Sequence, residues 1–244
     1  MGKQSSKKKA RHPRLGESVY CGNRGQVTGD HVPPRTFYGK IPPKNLITVP
    51  ACRPCNAGFS KNDDYVRLVL TTTEGRTDNE TRNELIEVVK RFAERLESKN
   101  ILSGFYESLE SAYVLNEFGI LVRRQKFMVE GARMDAFGVR VAKALFFRVK
   151  GHRLPDGYIV NSIHFRRFPQ IEAMSVENRD FWPMIISELL HSSQKEVWGD
   201  VFSYSWVQSP NNPDATWWLL SLYGKTQYLC STWNAALAEK WPRG

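Results

Sequence analysis

The sequence predicts an α+β chain in two parts: a small N-terminal module of short strands closed by a helix, and a larger C-terminal domain with an antiparallel sheet. Three observations lead there. Residues 17–75 are rich in Gly, Pro and Asn and hold only short apolar pieces (VY, QVTGDHV, NLITV), the pattern of short strands between loops. Residues 76–100 carry apolar positions at helical spacing on a densely charged background. From residue 101 onward, apolar runs separated by turn residues alternate with one long amphipathic stretch, the composition of an α+β domain.

Each element follows from its residues. Residues 1–16 are polar, basic and aperiodic, so they read as a flexible arm. A helix begins near Asn56 and runs through YVRLVL. Thr77 and Glu80 make a capping box ahead of a linking helix over 76–100, with Leu85, Val89, Phe92 and Leu96 on one stripe. ILVRRQKFMV reads as a strand. A helix follows with Met134, Phe137, Val141 and Leu145 on one face, closing near Gly151 and Pro155. YIVNSIHF, VFSYSWV, TWWLLSLY and TQYLCSTW read as strands. All seven tryptophans lie between Trp182 and Trp241 and are assigned to sheet packing; adjacent Trp217 and Trp218 must point to opposite faces, so only one can enter the core. Cys230 reads as a small buried hydrophobe.

Composition narrows the class. Hydrophobic residues make up 41% and aromatics 12%, enough to build a core and unlike a disordered chain. No apolar run approaches the roughly 18 residues of a membrane helix, and the first thirty residues lack an apolar signal segment. A soluble, cytoplasmic protein without a membrane partner is therefore expected. In such a chain the clustered Cys21, Cys52 and Cys55 point to metal rather than disulfides.

The charge is more informative by location than by size. Over residues 1–62, seven Lys and five Arg stand against Glu17 and Asp30, which accounts for the whole net charge of +10. A polyanion would be drawn to that quarter, with a strong dependence on salt. Arg24, Arg35, Lys40, Lys44, Arg53 and Lys61 lie among the residues of chemical interest and are the candidate phosphate contacts.

Those residues fall in the segment 18–63, which holds Asp30-His31, Pro33-Pro34, Asn45-Leu46 and the C-x-x-C-N run from Cys52 to Asn56. Hydrolysis of a phosphodiester needs a base for water, a cation at the phosphate, and a frame that holds both in register. His31 suits the base because imidazole titrates near neutrality. Asp30 offers a hard oxygen for Mg²⁺ or Mn²⁺, and Asn56, at a helix start, a neutral second ligand. Asn45 lies in the loop between strands and would hold that loop by hydrogen bonds. Neighbours on one strand face opposite ways, so bringing Asp30 and His31 to one phosphate calls for a bulge or strand end, for which Gly29 and Pro33 leave room. Asp63 and Asp64 read as solvated acids in early helical turns. His152, His164 and His191 have no partner at a recognisable spacing.

The segment resembles the HNH (ββα-metal) endonuclease family, whose order is C-x-x-C, Asp/Glu-His with a nearby proline, Asn-Leu, then C-x-x-C followed by His or Asn. The resemblance covers residues 18–64, about a quarter of the chain. It implies a hairpin followed by a helix, His31 as general base, Asp30 and Asn56 as ligands of one divalent cation, Asn45 as the structural middle Asn, and one structural Zn²⁺ on Cys21, Cys52 and Cys55. Two departures stand out. Asn56 replaces the final His, as in some members, and Ser18 stands where the first zinc cysteine belongs; His12 could supply the fourth ligand. Residues 101–244 look like the C-terminal half of some bacterial HNH proteins. The expected activity is metal-dependent cleavage of nucleic acid, DNA ahead of RNA. The alternative is a zinc-knuckle nucleic-acid-binding protein that does not cut, with a protein partner or ligand engaged through residues 101–244.

Overall fold

The computed structural model of the chain describes residues 14–38, 42–73, 90, 94, 99–115, 118–165, 181–224 and 226–238. Residues 1–13 of the expected arm, with His12, most of the linking helix with its capping box and stripe, and Lys40 lie outside the described residues; residues 14–16, expected in the arm, are strand.

The N-terminal strands β1 (Arg14–Glu17), β2 (Arg24–Val32) and β3 (Ile47–Cys52) form an antiparallel sheet in that order, and β3 runs straight into helix α1 (Arg53–Thr73). This is the expected hairpin-then-helix order, with one extra strand. Helix α2 (Lys99–Glu107) leads to β4 (Glu110–Leu115) and β5 (Leu121–Lys126), a separate two-stranded ribbon. Helix α3 (Gly131–Lys150), β6 (Tyr158–Phe165), helix α4 (Phe181–His191), β7 (Lys195–Trp198), β8 (Phe202–Ser209), β9 (Asn212–Leu222), β10 (Thr226–Asn234) and a last helical turn complete the chain. The five C-terminal strands make an antiparallel sheet in the order β6-β10-β9-β8-β7. The class is α+β, as predicted. No helix among the described residues is long and apolar enough to cross a membrane.

Helix α3 is the centre of the architecture. It packs on β6 and β10 on one side and on α1, β2 and β3 on the other. The predicted stripe is its core face: Met134, Phe137, Val141 and Leu145 are each at most 2% exposed. Each side chain of that size contributes about 1.5–3 kcal/mol by leaving water. The helix ends where predicted, with Gly151 in the left-handed conformation (φ 76°) and its N–H bonded to the Phe147 carbonyl at 2.9 Å. Gly138 lets the helix lie close to the sheet, since a methyl there would stand 2.0 Å from Ser162 Oγ and 2.8 Å from the Tyr228 ring.

One buried cluster runs through the molecule. It takes Val32 and Val49 from the N-terminal sheet, Tyr65 and Val69 from α1, Phe137 and Leu145 from α3, and Trp218, Leu220 and Tyr228 from the large sheet. Trp218 is fully buried and donates from Nε1 to Thr216 Oγ1 at 2.7 Å, while Trp217 faces the other way and packs against the cluster that Ile185 and Leu189 of α4 form with Leu219 and Leu229. Cys230 is fully buried, as its apolar surroundings predict.

Candidate functional site

The chain closes two clusters around β2, one of thiols and one of charges. The thiol cluster arises where three local structures meet. Cys21 sits in the turn between β1 and β2, which is tied by Ser18 N–H to the Asn23 carbonyl (3.0 Å) and Gly22 N–H to the Ser18 carbonyl (2.9 Å). Cys52 ends β3 and Cys55 lies in the first turn of α1. The Cys21 and Cys52 sulfurs are 3.6 Å apart, and all three lie within 4.8 Å of one another as free thiols. Tetrahedral thiolates on Zn²⁺, at about 2.3 Å each, would be separated by about 3.8 Å, so the spacing suits a metal ion.

Ser18 is the missing corner. It is fully buried, and its hydroxyl has no hydrogen-bond partner of good geometry. It lies close enough to lower the pKa of the exposed Cys21 to about 7, with the Asn23 backbone contributing next. Burial, reinforced by the other two thiols, pushes Cys55 the opposite way, to about 12. The three thiols make a donor set that can hold a metal ion.

The charge cluster surrounds Asp30. Pairing of β2 with β3 is continuous, with Asp30 opposite Val49 and His31 opposite Thr48. The irregularity that would turn both side chains to one phosphate is absent, and they leave the strand on opposite faces. Asp30 is buried at 5% exposure. Arg140 of α3, equally buried, donates from Nη2 to both Asp30 oxygens at 2.7 and 2.8 Å and from Nε to Oδ2 at 3.3 Å. Tyr20 donates its hydroxyl to Asp30 Oδ2 at 2.5 Å. Nη1 of Arg140 pairs with Asp63, and its guanidinium lies 4.3 Å from the centre of the Phe59 ring. Asp63 and Asp64, expected in solvent, are therefore inside; Asp64 is 6% exposed.

The titration behaviour follows from this enclosure. Burial works against the Arg140 charge, but Asp63 and Asp30 outweigh it and hold its pKa above the ordinary value. Burial, then the Asp30 carboxylate, keeps Tyr20 protonated well beyond the usual phenol range. Asp63 is raised from 3.8 to about 6, because burial outweighs the attraction of Arg140. Arg140 already holds Asp30 through its Nη2 and Nε, so the second carboxylate keeps much of its burial cost.

His31 is half-buried on the other face, with Nδ1 3.0 Å from Thr48 Oγ1. Thr48 Oγ1 also lies 3.3 Å from the Leu46 carbonyl. When the hydroxyl proton goes to that carbonyl, Oγ1 accepts from His31 Nδ1–H, and the basic lone pair falls on Nε2. Asn56 lies in the first turn of α1 and donates from Nδ2 to Thr28 Oγ1 at 3.0 Å. Asn45 is exposed, and its carbonyl accepts from Trp198 Nε1 at 3.2 Å, which docks its loop on the large sheet. The residue that orients His31 is thus Thr48. Arg24, Arg35, Lys44, Arg53 and Lys61 are all exposed. The C-terminal histidines do have partners: His164 pairs with Asp135 at 2.8 Å, and His152 and His191 bond to backbone carbonyls.

A divalent cation does not fit this arrangement at Asp30, since both oxygens face a guanidinium that supplies the compensating charge itself. Sequence reasoning missed Arg140, although a signal was there: it sits three residues after Phe137 and four before Ala144, inside the apolar stripe. No family model matches the chain, and neither a curated protein nor a solved structure matches it.

Two outcomes test the cluster. Arg140→Met leaves two carboxylates buried without a cation and is expected to cost about 3–5 kcal/mol in urea unfolding, whereas an exposed-pair loss would cost under about 1 kcal/mol. The second concerns acid. Folding raises the Asp63 pKa, so the folded chain holds that proton more tightly than the unfolded chain. Its contribution to stability is full below pH about 4 and is lost as pH rises through about 6. Asp63→Asn should flatten the stability profile between those values; an unchanged slope would place the titration elsewhere.

Proposed function

We propose that residues 14–73 act on the phosphodiester backbone of nucleic acid, DNA ahead of RNA, as an HNH-type endonuclease module with His31 as the general base. What carries the reading is the strand-held imidazole: Thr48 fixes Nδ1, so Nε2 is the atom that takes a proton from water. The hairpin and helix on either side of it are drawn together by the three thiols, and this whole quarter of the chain is basic. The thiols are read as the seat of one structural Zn²⁺, with Ser18 or a water in the fourth position. Mg²⁺ or Mn²⁺ at Asp30 and Asn56 would require Arg140 to withdraw, so no step is assigned to such an ion.

One observation favours a second reading, in which the module binds nucleic acid without cutting it: Arg140 occupies both oxygens of Asp30. The two readings separate in one experiment. The full chain is incubated with plasmid and single-stranded DNA, with Mg²⁺, Mn²⁺ or EDTA, and binding is measured alongside. Cleavage that falls about 10²–10⁴-fold in His31→Ala, with affinity nearly unchanged, supports the nuclease. Tight binding with no cleavage under any metal supports the binder. Activity of His31→Ala within a few-fold of wild type removes His31 from the chemistry.

For the thiols, protein purified without added zinc should carry no more than one zinc per chain, and Cys52→Ser should abolish it. A metal-free chain with an unchanged thermal midpoint would mean that packing alone closes the knuckle.

A further inference from the structure

The ribbon of β4 and β5 pairs with no other strand among the described residues. Its register sets Tyr113 opposite Arg123 and Leu115 opposite Leu121, so these four share one face. That face is open to solvent: Tyr113 is 71% exposed, Leu115 67% and Leu121 65%. At the turn, Phe118 is 78% and Ile120 59% exposed. A two-stranded ribbon with large, solvent-exposed apolar side chains gathered at its end is the surface of a docking site.

The stem states what kind. Arg123 and Arg124 project from opposite faces and both are exposed. Arg123 is steadied by Ser111 Oγ at 2.9 Å, and Lys126 is matched by Glu110 at 2.8 Å. Across residues 110–126 three bases stand against two acids. Edge-to-edge pairing with a second copy through β5 would bring these arginines together, like charge against like. A polyanion removes that conflict.

We propose that the β4–β5 ribbon is an arm that enters a groove of duplex nucleic acid, with Phe118 and Ile120 wedging at a base step and Arg123 and Arg124 on the flanking phosphates. A two-stranded ribbon fits a DNA groove, and Phe, Leu and Ile are the side chains that unstack a step and kink the duplex. Six paired residues at about 3.3 Å each give an arm of about 20 Å, longer than either groove is deep. The inference rests on the nucleic-acid reading of the N-terminal module and assigns its second point of contact.

The test uses the full chain in EDTA with a duplex carrying 2-aminopurine, whose fluorescence rises on unstacking. Wild type should bind and raise the signal. Phe118→Ser/Ile120→Ser should lose the rise and bind about tenfold more weakly, with an unchanged melting temperature. Arg123→Gln/Arg124→Gln should lower the salt dependence of binding by about 1.8, at about 0.9 per phosphate. If wild type binds and both variants bind equally well, the ribbon is not the contact, while the nucleic-acid reading stands. If wild type binds no nucleic acid, both fall. If the tip variant instead converts a dimer to a monomer in light scattering, the surface serves a second copy and the inference is overturned.

Discussion

A guanidinium at 5% exposure cannot stay charged inside a protein without anions, and Arg140 draws its anions from the far end of the chain. Asp30 comes from β2 and Asp63 from α1, and both must be at hand before α3 can be buried. That requirement fixes the rotation of α3, whose opposite side is set by the close approach of Gly138 to Ser162 and Tyr228. The N-terminal sheet, α1 and the large sheet then share one apolar cluster because each packs on the same helix. Tyr20 and Phe59 complete the enclosure, edge to face at 4.7 Å.

The thiol and charge clusters mark two ends of the contact between the hairpin and α1. The thiols lie at the turn and at the start of the helix, close in sequence and near the surface. The ion pairs act further along the helix, across a long span and deep inside. Between them they leave His31 on the outer face, where its position depends on Thr48 and on the loop that Trp198 anchors through the Asn45 carbonyl. His31 and the buried Asp30, adjacent in sequence, thus answer to different parts of the fold.

Local signals were the legible ones. The α3 stripe, its Gly151 ending, the start of α1 just ahead of Asn56, and the four C-terminal strands follow from periodicity and turn residues. The opposite fates of Trp217 and Trp218 follow from strand alternation. The thiol cluster was legible because its members lie within a short span. What escaped depended on distant partners. Asp63 looks like a surface acid until a cation arrives from α3, and Asp30 looks like an open metal ligand for the same reason. The exposed ribbon escaped because only its second strand was read, and nothing local says that a strand with large apolar residues will be left in solvent.

The span of the Asp30–Arg140 pair, 110 residues, also has a consequence in time. During synthesis β2 leaves the ribosome first, and its inward-facing carboxylate waits until α3 appears. At about 5–20 residues per second that interval is on the order of ten seconds. Through it the hairpin and α1 have only contacts made within the N-terminal segment, and Asp30 and the part of α1 that packs on α3 stay in water until α3 is made.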